Sequence, residues 1–135
     1  LNSNLSYNYY RFGDYQVDDK DYSGNNITAV PDWVWVSQLT MEFPYRLQLH
    51  VQHNYSSKAP LDDANTVYAE KYNLVQAKAS WTTALSGKCS IQFFLGVDNL
   101  LNEKYSLGND INAFGGRYFN PAPKRNFYAG LKLSL

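Results

Sequence analysis

The chain has 135 residues, with twelve Lys plus Arg balanced by twelve Asp plus Glu, so its net charge is zero. A protein that grips phosphates normally carries a basic excess or stripe, and none is present, which argues against nucleic acid as a partner. Charged residues make up 18% of the chain, below the roughly 25% of an average soluble domain, while aromatics reach 16%.

The opening segment sets Leu1, Leu5, Tyr7 and Tyr9 against Asn2, Asn4, Ser6 and Asn8. Apolar and polar residues in strict alternation are the period of a strand with one greasy and one wet face, and they predict a strand over residues 1–12. A long connection follows from Gly13 to Asp32. Its acidic run Asp18-Asp19-Lys20-Asp21 lacks the spacing and glycine of a calcium loop and reads as a solvated tip. Trp33, Trp35, Leu39, Met41 and Phe43, against Gln38, Thr40 and Glu42, predict the second strand over 33–43. Phe43-Pro44-Tyr45 is a tight turn.

The third strand, 46–57, has Leu47, Leu49, Val51 and Tyr55 against Gln48, His50, Gln52 and Asn54. It carries both histidines, His50 and His53. On a strand, positions i and i+3 face opposite ways, so one ion cannot bind both and no metal site is expected. The connection Lys58–Lys71 contains Asp62-Asp63, read like the first acidic run as a solvated tip. Val75, Ala77, Ala79 and Trp81, against Gln76, Lys78 and Ser80, give a fourth strand over 72–85, and Ser86-Gly87-Lys88 a second tight turn. Cys89, Ile91, Phe93, Leu95 and Val97 mark the fifth, over 88–98. Cys89 is the single cysteine, which excludes an internal disulfide, and its place in an apolar alternation reads as a packed thiol. After the connection Asn99–Lys124, Phe127, Ala129, Leu131, Leu133 and Leu135 predict a sixth strand over 125–135.

The fold class is therefore all-β, an antiparallel meander of six strands paired in sequence order. Odd-numbered residues share one face and even-numbered residues the other. Short and long connections alternate strictly, and short turns at one rim with long loops at the other describe an outer-membrane barrel whose long loops are extracellular. No stretch approaches the ~18 apolar residues of a membrane helix, but barrel strands cross with a far weaker signal. Tyr9, Trp33, Trp35, Tyr55, Tyr72, Phe127 and Tyr128 fall near the long-loop ends. Phe43, Tyr45 and Trp81 fall near the short-turn ends. The two groups suit two interfacial belts. Single-chain barrels start at about eight strands, so residues 1–135 read as one segment of a longer chain, with the other strands N-terminal to Leu1.

The segment Phe94-Leu95-Gly96-Val97-Asp98-Asn99-Leu100-Leu101-Asn102-Glu103-Lys104-Tyr105 resembles the penultimate strand and following loop of TonB-dependent receptors. The segment from Gly116-Arg117-Tyr118-Phe119-Asn120-Pro121 through Pro123-Lys124-Arg125-Asn126-Phe127 to Leu131 resembles their last loop and closing strand. One departure is that members usually end in an aromatic residue, whereas Leu135 stands here. The resemblance implies the C-terminal part of a 22-stranded barrel closed by an N-terminal plug, in the outer membrane of a Gram-negative bacterium. It implies uptake of a scarce ligand, a ferric siderophore, cobalamin, haem or a glycan, driven by the TonB–ExbB–ExbD complex through the N-terminal part. Within the motifs, Asp98 and Asn99 end a strand by bonding their own backbone, Gly115-Gly116 supplies positive φ, and Pro121 and Pro123 hold the return extended ahead of the strand.

No Ser/His/Asp constellation or paired lumenal carboxylate is present, so no catalytic residues and no cofactor are expected. Tyr68, Tyr105, Tyr118 and Phe119 with Arg117 are the candidate ligand-contacting group, since aromatics and Arg offer contact area and charge-assisted bonds to an anionic chelate. A small soluble ligand-binding barrel, closing on itself or associating through its edges, would show the same alternation with its apolar face inward. A surface adhesin or structural barrel is a third reading. Detergent dependence separates the first two.

Overall fold

The computed structural model describes residues 1–87 and 89–134. Its elements in chain order are β1 (Asn2–Tyr7), β2 (Gln16–Val17), β3 (Lys20–Asp21), β4 (Trp33–Phe43), β5 (Leu47–Ser56), β6 (Ala59–Pro60), β7 (Tyr68–Ala69), β8 (Tyr72–Ser86), β9 (Cys89–Asp98) and β10 (Asn126–Ser134). Six of them form one sheet in the order β1-β4-β5-β8-β9-β10, antiparallel throughout. The expected meander is therefore present. The predicted positions Lys88 and Leu135 lie outside the described residues.

The register carries the parity rule across the sheet. Leu49 stands opposite Ala79, Ala79 opposite Leu95, and Leu95 opposite Ala129, and directly opposed residues share a face. Leu49, Ile91 and Leu131 thus lie on one side. The one break is a bulge between Ala84 and Ser86, beyond which Ser86 opposes Cys89. A bulge adds a residue to one strand and so inverts its parity; it falls where β8 enters the short turn.

β1 is shorter than expected. The ladder ends at Tyr7 opposite Trp33, with one further bond from the Asn8 amide to the Asp32 carbonyl at 2.8 Å. The next partner is Pro31, which has no N–H to donate. The Asn8 side-chain amide bonds the Pro31 carbonyl instead, at 3.1 Å, and the chain leaves the sheet.

Both faces of the sheet are open. On the odd face Trp35 is 44% exposed, Leu95 60% and Leu131 60%, an apolar surface far larger than isolated surface hydrophobics explain. Several odd-face polar groups bond one another: Ser3 to Ser37 at 2.9 Å, the Trp35 indole N–H to Ser3 at 2.8 Å, and His53 to Asn73 at 3.2 Å. That pairing is what a membrane-facing wall needs, because lipid cannot satisfy them. His50 faces the other way, bonded to Thr40 at 3.0 Å, as the strand period required. Tyr7 packs on Trp33 at 4.4 Å between ring centroids at one end of the wall, and Trp81 on Phe93 at 6.0 Å toward the other.

Tyr72 and Tyr128 do not belong to the outward belt assigned to them from their positions along the strands. Tyr72 opposes Ser56, and Tyr128 opposes Gly96, so both lie on the even face. There the Tyr128 ring lies over Gly96, and the Phe94 ring over its partner Gly130. A methyl group built on Gly96 would stand 2.1 Å from Tyr128 Cζ, and one on Gly130 2.4 Å from Phe94 Cζ. The two glycines exist so that two aromatic rings can lie flat across the sheet, a known device for pinning register.

The sheet does not close: β1 and β10 are its two edges among the described residues, unlike the self-closing small barrel of the alternative reading. No helix among the described residues is long and apolar enough to cross a membrane.

Candidate functional site

The three long loops, residues 8–32, 57–71 and 99–125, all leave the same rim, and they hold what buried apolar core the described residues possess. Ala59 and Leu61 are 8% and 1% exposed, and Pro60 is fully buried. All three belong to the second loop, where the two-residue ladders of β6 and β7 pair Ala59 with Ala69 and Pro60 with Tyr68. The backbone around this core is tied outward. The Ala29 amide donates to the Pro60 carbonyl at 2.8 Å, and the Asn112 amide to the Leu61 carbonyl at 2.8 Å. The first and third loops are thereby fastened to the second.

Asp62 and Asp63 are not the solvated tip their sequence suggested. Asp62 Oδ1 accepts from the amides of Thr66 at 2.7 Å and Val67 at 3.1 Å, and Oδ2 accepts from the Thr66 hydroxyl. Burial opposes the Asp62 charge, but the Thr66 hydroxyl and the two amides outweigh it and hold the carboxyl below its ordinary 3.8. Asp63 faces its neighbours: Oδ1 accepts from the Thr28 hydroxyl at 2.5 Å, and Oδ2 from the Tyr15 hydroxyl at 3.1 Å and the Asn112 amide group at 3.0 Å. The Tyr15 phenol is raised above its ordinary 10.0, first by that hydrogen bond to Asp63 and then by burial and the Asp63 charge. The other acidic run behaves as expected: Asp18 and Asp19 turn the exposed β2–β3 hairpin, and Asp21 is lowered by the hydroxyl and amide of Ser23.

Asn99 organises the third loop. It is 3% exposed and adopts φ 49°. Its Oδ1 accepts from the Glu103 amide at 2.8 Å, while its Nδ2 donates to the carbonyls of Glu103 at 2.9 Å and Pro123 at 3.3 Å. One side chain thus starts the turn out of β9 and fixes the return before β10. Gly115 and Gly116 take φ 70° and 75°, the left-handed conformation expected of them.

The third loop leans over the even face. Tyr105 packs against Tyr72 with the rings tilted and 5.3 Å between centroids, and it shares a hollow of about 170 Å³ with Leu74, Gln76, Asp98 and Asn126. Beside it a groove of about 260 Å³ runs between Ala69, Glu70, Lys104, Tyr105, Phe119 and Pro121. The five expected ligand-contacting residues therefore divide. Tyr105 and Phe119 line one groove. Tyr68 lies in β7 with the Lys58 ammonium 4.7 Å from its ring centroid. Tyr118 is half-buried against Phe119 at 6.4 Å, and Arg117 is exposed. Lys104 and Glu70, the charged groups of the groove, were not anticipated, because neither falls in an alternating pattern. A second hollow of about 320 Å³, lined by Leu47, Ala79, Trp81, Phe93, Leu95 and Ala129, opens on the apolar odd face, away from the loops. Among the described residues no cluster of His, Cys, Asp and Glu could hold a metal ion.

One apolar face, one polar face, and a roof of long loops confined to one rim define a segment of an outer-membrane β-barrel wall. The sequence pattern of the family described as "TonB dependent receptor-like, beta-barrel" matches residues 1–100, and the chain belongs to that family. Among solved structures it is similar to the siderophore receptor PiuA from Acinetobacter baumannii, with a TM-score of 0.66 and 23% identity over 90% of this chain. The chain spans 17% of that receptor's length, and the likeness bears on the fold.

Proposed function

We propose that this chain is the C-terminal wall and ligand-gathering rim of a TonB-dependent uptake receptor in the outer membrane of a Gram-negative bacterium, carrying a ferric siderophore. Cobalamin, haem and glycans are the other cargoes of comparable scarcity. The observation that carries the reading is the pairing of an exposed apolar wall with loops that fold over its polar face. In this reading the first faces lipid, and the second supports a ligand-contacting role for Tyr105, Phe119 and Lys104, which line the groove beneath the third loop. Family membership and the likeness to a siderophore receptor support it. In this reading the plug, the remaining strands and the contact with TonB–ExbB–ExbD belong to other parts of the receptor. The chain has a binding role and no catalytic one.

Aromatic rings supply contact area in such a groove, and Lys104, Lys58 and Arg117 supply positive charge to an anionic chelate. The test is growth of cells expressing the full-length receptor on a ferric tris-catecholate or tris-hydroxamate as sole iron source, with binding measured on purified receptor. Arg117→Ala should weaken binding by about 1–3 kcal/mol if it makes a charged hydrogen bond, and Tyr105→Ala should weaken it too. Lys132→Ala, far from the rim, should not. Wild-type affinity in both rim variants at normal surface levels would remove the third loop from the site.

A further inference from the structure

We infer that Asp63 is a positioning residue that locks the three long loops into one rigid rim, so that the groove in the third loop keeps its shape through contacts with the first. The loops begin far apart. The first joins β1 to β4 at one edge of the sheet, the third joins β9 to β10 at the other, and the second stands between them. Asp63, on the second loop, is the point where all three meet. Its carboxylate accepts from Thr28 and Tyr15 of the first loop and from Asn112 of the third. Its backbone repeats the pattern: the Asp63 carbonyl accepts from the Asn25 side chain at 2.8 Å, and the Asp63 amide donates to Asn112 Oδ1 at 3.0 Å.

Asn65 adds a reciprocal pair, accepting from the Asn26 amide at 2.8 Å and donating to the Asn26 carbonyl at 3.0 Å. Asn65 sits at φ 55° and Asn112 at φ 47°, a backbone region that short polar side chains tolerate best. The side chains of Asp63, Asn65 and Asn112 thus cross-link the loops, Asn65 also bonding the Asp62 carbonyl of its own loop at 3.2 Å.

A carboxylate suits this task for a specific reason. It is acceptor-only and has two oxygens, and here the donors come from two directions: Thr28 meets Oδ1, and Tyr15 and Asn112 share Oδ2. An amide in its place has one acceptor oxygen and one donor group. Asn at position 63 can accept from Tyr15 and Asn112 through Oδ1 and donate through its amide to the Thr28 hydroxyl, which also accepts, so the three contacts can persist but without the carboxylate charge that strengthens them.

The consequence for ligand capture rests on the receptor reading above; the lock itself does not. The experiment is hydrogen exchange on the full-length receptor, following the amides of Asn26 and Ala29 in the first loop and Asn112 in the third. Asp63→Ala should speed exchange at all three by about tenfold or more, as expected when a local opening loses several bonds, while amides in the middle of β5 and β8 stay unchanged. Asp63→Asn should keep both neighbouring loops attached, with exchange at all three amides between that of wild type and that of Asp63→Ala. Asn112→Ala, which removes a peripheral partner only, should loosen the first loop as well as the third, and should have a smaller effect in the Asp63→Ala background, where only the bond from the residue-63 backbone amide to Asn112 Oδ1 is left to lose.

Release confined to the second loop, or unchanged protection in both neighbours, would overturn the lock. So would an Asn112→Ala effect that persists undiminished without Asp63. Wild-type receptor that takes up neither ferric chelate would sink the siderophore reading alone, since the exchange pattern is measured without ligand. If both hold, Asp63→Ala should weaken binding of the chelate although Asp63 lines none of the groove, and Asp63→Asn should restore part of it.

Discussion

The wall and the rim are stabilised in opposite ways. In the wall, long strands with nearly continuous ladders carry large apolar side chains that nothing among the described residues covers; Leu5, Leu95, Leu131 and Leu133 are all at least 60% exposed. In the rim, irregular backbone with little regular pairing contains Leu61 at 1% and Asn99 at 3% exposure. Regular hydrogen bonding and burial usually coincide in a soluble domain, and here they are separated. The wall draws its apolar burial from its surroundings, whereas the rim must supply its own in water. That division is what a membrane imposes, because lipid rewards apolar surface but cannot satisfy a free backbone group.

The sharpest way to break the comparison is to attack each region where it is supposed to depend on itself. Leu61→Ala should destabilise the rim by about 2–5 kcal/mol, the usual range for a fully buried leucine. The loss should appear as protease cleavage within residues 8–32, 57–71 and 99–125 while the strands remain resistant. Cleavage that spreads through β5 and β8 would mean that wall and rim are one cooperative unit. In the wall, Leu95→Arg should cost about 2–4 kcal/mol if that side chain faces mid-bilayer, read as reduced assembly in the outer membrane. Gln52→Arg, on the even face of β5, should assemble normally. Equal effects from the two would show that the odd face does not meet lipid.

The wall was legible in the sequence because a strand's period is short and local. Six alternating runs in register of parity are enough to assign two faces, and the cross-strand pairing of Leu49, Ala79, Leu95 and Ala129 follows that assignment. Position along a strand was a poorer guide than parity: Tyr72 and Tyr128 stand near the long-loop ends as expected, yet their even numbers turn them inward. The rim was not legible in the same way. Asp63 meets Asn112 across 49 positions and Tyr15 across 48, and no local period encodes contacts at that range. Asp62-Asp63 therefore looked like a loop tip, since two adjacent carboxylates usually seek water. The rim features that were legible are local ones: Asn99, whose turn is built on Glu103 four residues away, and Gly115-Gly116, whose positive φ belongs to the residues themselves.

Gly96 offers a smaller test inside the wall. Its missing side chain makes room for Tyr128, so Gly96→Ala forces the ring aside and should cost about 1–3 kcal/mol, as overpacking does. The paired change Gly96→Ala with Tyr128→Ala should recover much of that loss. Failure to recover it would mean that the glycine serves backbone curvature and not the ring.

The smallest expected effect distinguishes the regions by pH. In the rim, Tyr15 is raised above 10.0 chiefly by its bond to Asp63, and Asp62 is lowered below 3.8 by Thr66 and the neighbouring amides against the opposing cost of burial. The signs differ accordingly. For Tyr15 the folded rim favours the protonated phenol, so its contribution is complete below pH 10.0 and fades as pH rises through the folded value. For Asp62 the folded rim favours the carboxylate, so its contribution is present above pH 3.8 and fades as pH falls through the folded value. A phenolate absorbance titration of wild type minus Tyr15→Phe should therefore show one tyrosine ionising above 10.0, and replacing Asp63 with Ala should bring that step back down. Tyr15 titrating at its ordinary value in the intact receptor would separate the first loop from the second, and with it the physical reason for treating the rim as one body.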